Sequence, residues 1–208
     1  MKEKEGKKSD LSRLMEYAGR HRYFTYASWV LSAISAILAL VPFVYIWAII
    51  RDIITVAPNY SEAKNIGHFG IMAVVFALLS MIIYVGGLMC SHMAAFRVAS
   101  NMRTAAMHHI VKLPLGFMDD FGSGRMRKII NDSSAATETY LAHQLPDKTA
   151  AVVTPICLCI MLFVFDWRLG ILSLVPVVLA FGIMSAMTGK RMQVKMTEYQ
   201  NALEDMSN

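Results

Sequence analysis

The side chains in this sequence that could hold a metal or a haem are few, and their spacing works against both. His68, His92, His108, His109 and His143 could supply axial imidazoles, but a bis-histidine haem needs two of them facing each other across helices within a membrane. His92 lies at the expected cytoplasmic edge of an apolar stretch, and His108, His109 and His143 fall on the polar extensions of that stretch and the next. His68 is expected on the opposite, outer side, and His21 sits among basic residues near the start. Cys157 and Cys159 are two residues apart, about 200° around a helix, so they cannot share a ligand or a disulfide. With Cys90 they read as packing residues. Met184, Met187, Met192 and Met196 cluster near the end, where a thioether is a soft ligand or, more simply, flexible filler. No G-x-x-x-x-G-K-[ST] phosphate loop occurs, since Gly6-Lys7 and Gly189-Lys190 lack both the upstream glycine and the following hydroxyl. No catalytic group, cofactor or metal site is expected in this chain. A haem-binding membrane subunit stays as an alternative that an absent Soret band would dispose of.

Recognition chemistry is concentrated instead in residues 113–125. Pro114 disfavours helix at Leu113, and Gly122 and Gly124 punctuate the other side, which leaves about six residues for an independent helical turn. In that turn Phe117 and Phe121 are i,i+4 neighbours, Met118 lies between them, and Asp119 and Asp120 point away. A short element with one aromatic and one acidic face suits docking into a groove on another protein. It is a means of transmitting motion.

The elements that position this turn are membrane helices. The chain has 208 residues, 56% of them hydrophobic, with mean hydropathy +0.46, well above a soluble domain of this size. Four apolar stretches, at about 24–50, 69–90, 150–165 and 169–187, are long enough to cross a bilayer core of roughly 30 Å. The fold class is all-α membrane protein. Seven basic residues precede the first span (Lys2, Lys4, Lys7, Lys8, Arg13, Arg20, Arg22) and seven lie between the second and third (Arg97, Arg103, Lys112, Arg125, Arg127, Lys128, Lys148). The other two connections carry only Arg51 and Lys64, and Arg168. Both termini and residues 113–125 are therefore expected in the cytoplasm. This bias accounts for the net charge of +5 without a nucleic-acid partner. The first span has no small-residue cleavage site and reads as an anchor, not a removable signal peptide.

The helices are expected to outrun the membrane. Forty-one residues from Arg125 to Phe165, with stops only at Pro146 and Pro155, would extend about 60 Å. An apolar stripe of Met126, Ile129, Ile130, Ala136, Tyr140, Leu141 and Leu145, with Asp132, Ser133, Ser134 and Glu138 elsewhere, marks the part before Pro146 as a stalk packed on other helices. The second span continues to Ile110 and Val111, and the fourth continues past Gly189 to Leu203. Residues 1–23 read as a cytoplasmic segment whose Leu11, Leu14, Met15, Ala18 and Arg22 form an amphipathic helix on the inner leaflet. Ser28, Ser32 and Ala36, and Gly182 and Ala186, are small-residue stripes that let helices approach. Pro42, Pro155 and Pro176 each free a backbone carbonyl.

Leu113-Pro114, Phe117-Met118-Asp119, Gly124, Asp132 and then Leu145-Pro146 resemble the first cytoplasmic loop of the exporter-type (type 1) transmembrane domain of ATP-binding-cassette (ABC) transporters. Asp166-Trp167-Arg168-Leu169 followed by Pro176 resembles the opening of that family's fourth helix. The resemblance covers about residues 11–208. It implies that residues 24–208 are a partial transmembrane domain, and that Phe117, Met118, Asp119, Asp120 and Phe121 form a coupling helix against a nucleotide-binding domain, with Gly122 and Gly124 permitting the turn. It also implies a second transmembrane domain, as homodimer or heterodimer, in the lipid bilayer of the cell membrane.

The chain departs from the family pattern in having four spans where a complete domain has six, and in lacking the ATPase cassette. The expectation is a fragment, a truncated product or one piece of a split system, with ATP and Mg²⁺ held in the missing or partner domain and no enzymatic activity in this chain alone. A non-transporting four-helix scaffold is the remaining alternative.

Overall fold

A computed structural model describes residues 10–60, 63–114, 116 and 122–207. Among these residues every regular element is helical. In chain order they are α1 (Asp10–Ala18), a 3₁₀ turn (Gly19–His21), α2 (Arg22–Leu38), α3 (Val41–Val56), α4 (Ile66–Ile110), α5 (Ser123–Thr139), a π turn (Tyr140–Gln144), α6 (Leu145–Phe165), α7 (Trp167–Met187) and α8 (Lys190–Ser207). Four stretches are long and apolar enough to cross a membrane: Leu11–Val56, Ile66–Ile110, Ser123–Phe165 and Trp167–Met187. The second and third, of 45 and 43 residues, are each about twice the length a bilayer core requires at 1.5 Å per residue.

The boundaries follow from local chemistry. The first apolar stretch divides at Ala39–Leu40 because Pro42, lacking an N–H, suits the opening turn of a new helix better than the interior of an old one. Pro155 and Pro176 behave differently and lie inside unbroken α6 and α7. The fourth helix is interrupted at Thr188–Gly189, so the expected continuous stalk is instead the separate helix α8.

The chain divides into two compact units, Met1–Cys157 and Leu158–Asn208. The first is built on α4. The face of α2 carrying Ser28, Ser32, Ser35 and Ala36 is buried, as the small-residue spacing predicts, and it meets α4 at Gly87, where an added Cβ would lie 3.1 Å from Leu31 Cβ and 3.4 Å from the Ser28 carbonyl oxygen. The Ser35 hydroxyl donates to the Ser80 carbonyl across this seam at 3.0 Å. Further along α4, Ala95 and Val98 are fully buried with Ala18, Leu141, Ala142 and Leu145, and Leu11 and Met15 pack against them. The apolar face of α1 is thus spent on α4, and the Asn101 amide donates to the Tyr17 carbonyl at 2.8 Å to fix its end. Nearer the α3–α4 connection, Tyr45 of α3 stacks on Phe76 of α4 with ring centroids 5.7 Å apart.

The third long helix packs in a different phase from the simple repeat. Met126, Ser134, Leu141, Ala142, Leu145 and Pro146 are buried, whereas Ile129 and Ala136 of the expected stripe are exposed. Pro146 supplies the reason. It has no N–H to give to the carbonyl four residues back, at Ala142, and its ring crowds that carbonyl, so the chain widens into the π turn. The Ser91 hydroxyl of α4 donates to the freed Ala142 oxygen at 2.7 Å. Ser91→Ala should therefore cost about 1–3 kcal/mol, because a buried acceptor loses its donor. Ser32→Ala should be near neutral, since the buried Ser32 hydroxyl has no partner among the described residues. Thermal unfolding of the two variants in detergent distinguishes them; equal losses would refute the argument.

In the second unit, Asp166 caps α7, its Oδ1 accepting from the backbone N–H of Arg168 at 2.8 Å and of Leu169 at 3.4 Å. Gly170 lies where a Cβ would come within 3.1 Å of the Phe163 ring, which closes the one-residue link tightly. Gly182 and Ala186 are exposed within this unit, so that small-residue stripe meets nothing here.

Candidate functional site

The candidate coupling segment is framed by two described turns. At the end of α4 the backbone tightens, Lys112 N–H donating to the His109 carbonyl and Leu113 N–H to the Ile110 carbonyl at 3.1 and 2.9 Å, before Pro114 prevents a further turn. At the start of α5, Gly122 takes φ 80° and ψ 127° and its carbonyl accepts from Met126 N–H at 3.2 Å. That backbone sits in the region where a Cβ costs about 1 kcal/mol or more, so glycine is the residue the turn demands. Gly124 has no such requirement: it is an exposed residue within the first turn of α5, and a Cβ there would meet nothing within 4 Å. Phe117, Met118, Asp119, Asp120 and Phe121 themselves lie outside the described residues, as does Leu115.

Around this frame the surface is basic and apolar. Lys112, Arg127 and Lys128 are exposed, and so is Asp132. A groove of about 450 Å³ between the end of α4 and the start of α5 is lined by Met107, Ile110, Met126 and Ile130, with Arg127 and Asn131 at its edge. Arg103 of α4 approaches Glu138 of α5 at 3.9 Å, a long, partly exposed pair that adds little to stability. Nearer the π turn the two helices that carry the loop are held together by apolar contact.

The structure also unites two residues that sequence spacing separates. His92 and His143 meet with ring centroids 4.8 Å apart and planes at 82°. Two imidazoles on opposite sides of a haem iron would put their centroids about 6 Å apart with the porphyrin between them, so this pair does not form a haem site. His143 reaches α4 because the π turn re-aims it, and the only sequence signal for that turn was Pro146, four residues after Ala142. Cys90, Cys157 and Cys159 are all free thiols.

A family model described as ABC transporter transmembrane region matches residues 26–208. Among curated relatives, "Mycobactin import ATP-binding/permease protein IrtA" of Mycolicibacterium smegmatis is 29% identical over 161 residues, covering 77% of this chain and 18% of the relative. The protein of the same name in Mycolicibacterium thermoresistibile is 30% identical over 161 residues, covering 77% and 17%. That of Mycobacterium tuberculosis is 29% identical over 165 residues, covering 77% and 18%. The chain thus spans less than a fifth of the length of these relatives.

Proposed function

The chain belongs to the ABC transporter transmembrane family, a family of multi-pass membrane proteins, and from that premise we propose that it forms part of a substrate path and couples it to a nucleotide-binding domain outside this chain. The observation that carries the reading is the family match over 26–208 coinciding with two helices twice as long as a membrane that converge on the Pro114 and Gly122 turns. ATP and Mg²⁺ belong to the nucleotide-binding domain, supplied by the remainder of a longer chain or by a separate subunit. Consistent with this, the relatives' names join an ATP-binding part to a permease. Phe117, Met118, Asp119, Asp120 and Phe121 contact that domain, both ends of this chain lie on its side of the membrane, and a second transmembrane domain completes the path.

Mycobactin, the cargo in the relatives' name, is the first substrate to assay. The test is purification of this chain from its native membrane with whatever it is joined to, followed by reconstitution in vesicles. ATP hydrolysis that rises with cargo, and cargo movement that requires ATP, are expected. A chain that purifies with no ATP-binding domain, in itself or beside it, and that moves nothing, would leave a four-helix scaffold as its function.

A further inference from the structure

We propose that His92 and His143 form a two-imidazole site for a divalent first-row transition-metal ion at the junction of α4 and the π turn. The two helices are tied together beside the pair. Ser91, next to His92, donates its hydroxyl to the carbonyl of Ala142, next to His143, at 2.7 Å, so the two histidines flank a short cross-helix hydrogen bond. With metal–nitrogen bonds of about 2.1 Å, two imidazoles on neighbouring positions of one ion place their ring centroids about 5 Å apart. The observed 4.8 Å matches that separation.

The neighbourhood suits a cation. His92 is half-buried against Phe96, with ring centroids 5.7 Å apart, which limits its rotation, while His143 is exposed and gives an ion access from water. Lys148, the next basic residue along the chain, is drawn away over the Tyr140 ring at 4.8 Å. No third histidine, cysteine or carboxylate joins the pair among the described residues, so water completes the coordination. Two neutral imidazoles select Zn²⁺, Cu²⁺ or Ni²⁺ over Mg²⁺ or Ca²⁺, with Cu²⁺ favoured by the general order of affinities. A bound ion cross-links α4 to the third long helix where Ser91 already does. π turns are frequent at functional positions, and this one exists to aim a ligand as well as to accommodate Pro146.

The test uses the full chain with any subunits that copurify, in detergent and free of affinity tag. Zn²⁺ should raise the unfolding temperature of the wild type and of His108→Ala, a histidine of α4 distant in sequence from the pair. It should have no such effect on His92→Ala or His143→Ala, and the double variant should lose nothing more. Removal of either ligand should weaken binding by more than about tenfold, since even outer-shell partners of a metal are worth that much. A shift that survives in either single variant, or is absent from the wild type, overturns the proposal. Should the alanine variants fail to fold, the wild type decides alone: electron paramagnetic resonance with one equivalent of Cu²⁺ should show coupling to two imidazole nitrogens, and coupling to one or none refutes the site.

Discussion

Replacing Phe117 and Asp119 together by alanine should abolish ATP-driven transport while leaving the chain folded and membrane-inserted. On the proposed reading the two residues meet a nucleotide-binding domain through opposite faces of one short turn, the aromatic ring filling a pocket and the carboxylate accepting hydrogen bonds. Truncating a buried aromatic anchor at an interface typically costs 2 kcal/mol or more, and removing a paired charge adds to that. A combined loss of about 3 kcal/mol is a factor above 100 in the population of the docked state. Nothing in the described core depends on either residue, so stability should be unchanged. The expected pattern is basal ATP hydrolysis retained, its stimulation by cargo lost and cargo movement lost. Val111→Ala, at a residue 81% exposed on the neighbouring turn, serves as the control that should do nothing. Transport and stimulation equal to wild type in the double variant would end the coupling assignment.

The second large effect concerns two adjacent glycines of α4. Gly87→Leu should drive α2 and α4 apart, because even a Cβ at that position lies 3.1 Å from Leu31 Cβ, with backbone atoms of Ser28 and Ser32 at 3.4 and 3.5 Å that cannot step aside. Overpacking of this kind costs roughly 1–3 kcal/mol for modest insertions, and a branched side chain against backbone exceeds the modest case. Gly86 has nothing within 4 Å of the same position. Gly86→Ala should be neutral or stabilising by up to about 1 kcal/mol, since alanine is the better helix former and no neighbour opposes it. Unfolding temperatures measured in one detergent should separate the pair clearly. Equal responses at 86 and 87 would mean that the seam is looser than its geometry.

The two positions also show how far the sequence could be read. Hydropathy marks all four membrane-length helices, because a run of about 20 apolar residues has few other uses. Ser28, Ser32 and Ala36 announce a close seam by spacing alone, and it is there. Gly87 does not announce itself: Gly86-Gly87 is a symmetric pair, and which of the two faces α2 depends on the rotation of a 45-residue helix. Pro42 and Pro155 illustrate the same limit. Each sits in an apolar run, yet the chain restarts a helix at one and continues through the other, so proline alone does not tell a break from a continuation. The turns at Pro114 and Gly122 were legible from residue type, whereas Gly124 lies within α5 and takes no conformation that requires glycine. His92 and His143 were beyond reach, since 51 residues separate them and their meeting depends on a widened helical turn.

That widened turn has a mechanical consequence. α5 and α6 are a single rod in which Tyr140–Gln144 holds one residue more than a regular turn would, so the two arms are keyed at different angles. A push along the rod passes from one arm to the other through continuous backbone. A twist is taken up first at the joint, where Pro146 has already removed one rung of the ladder and a serine from α4 grips the loose carbonyl. The rod is stiff as a strut and soft as an axle, and Ser91 is the pin that sets its angle.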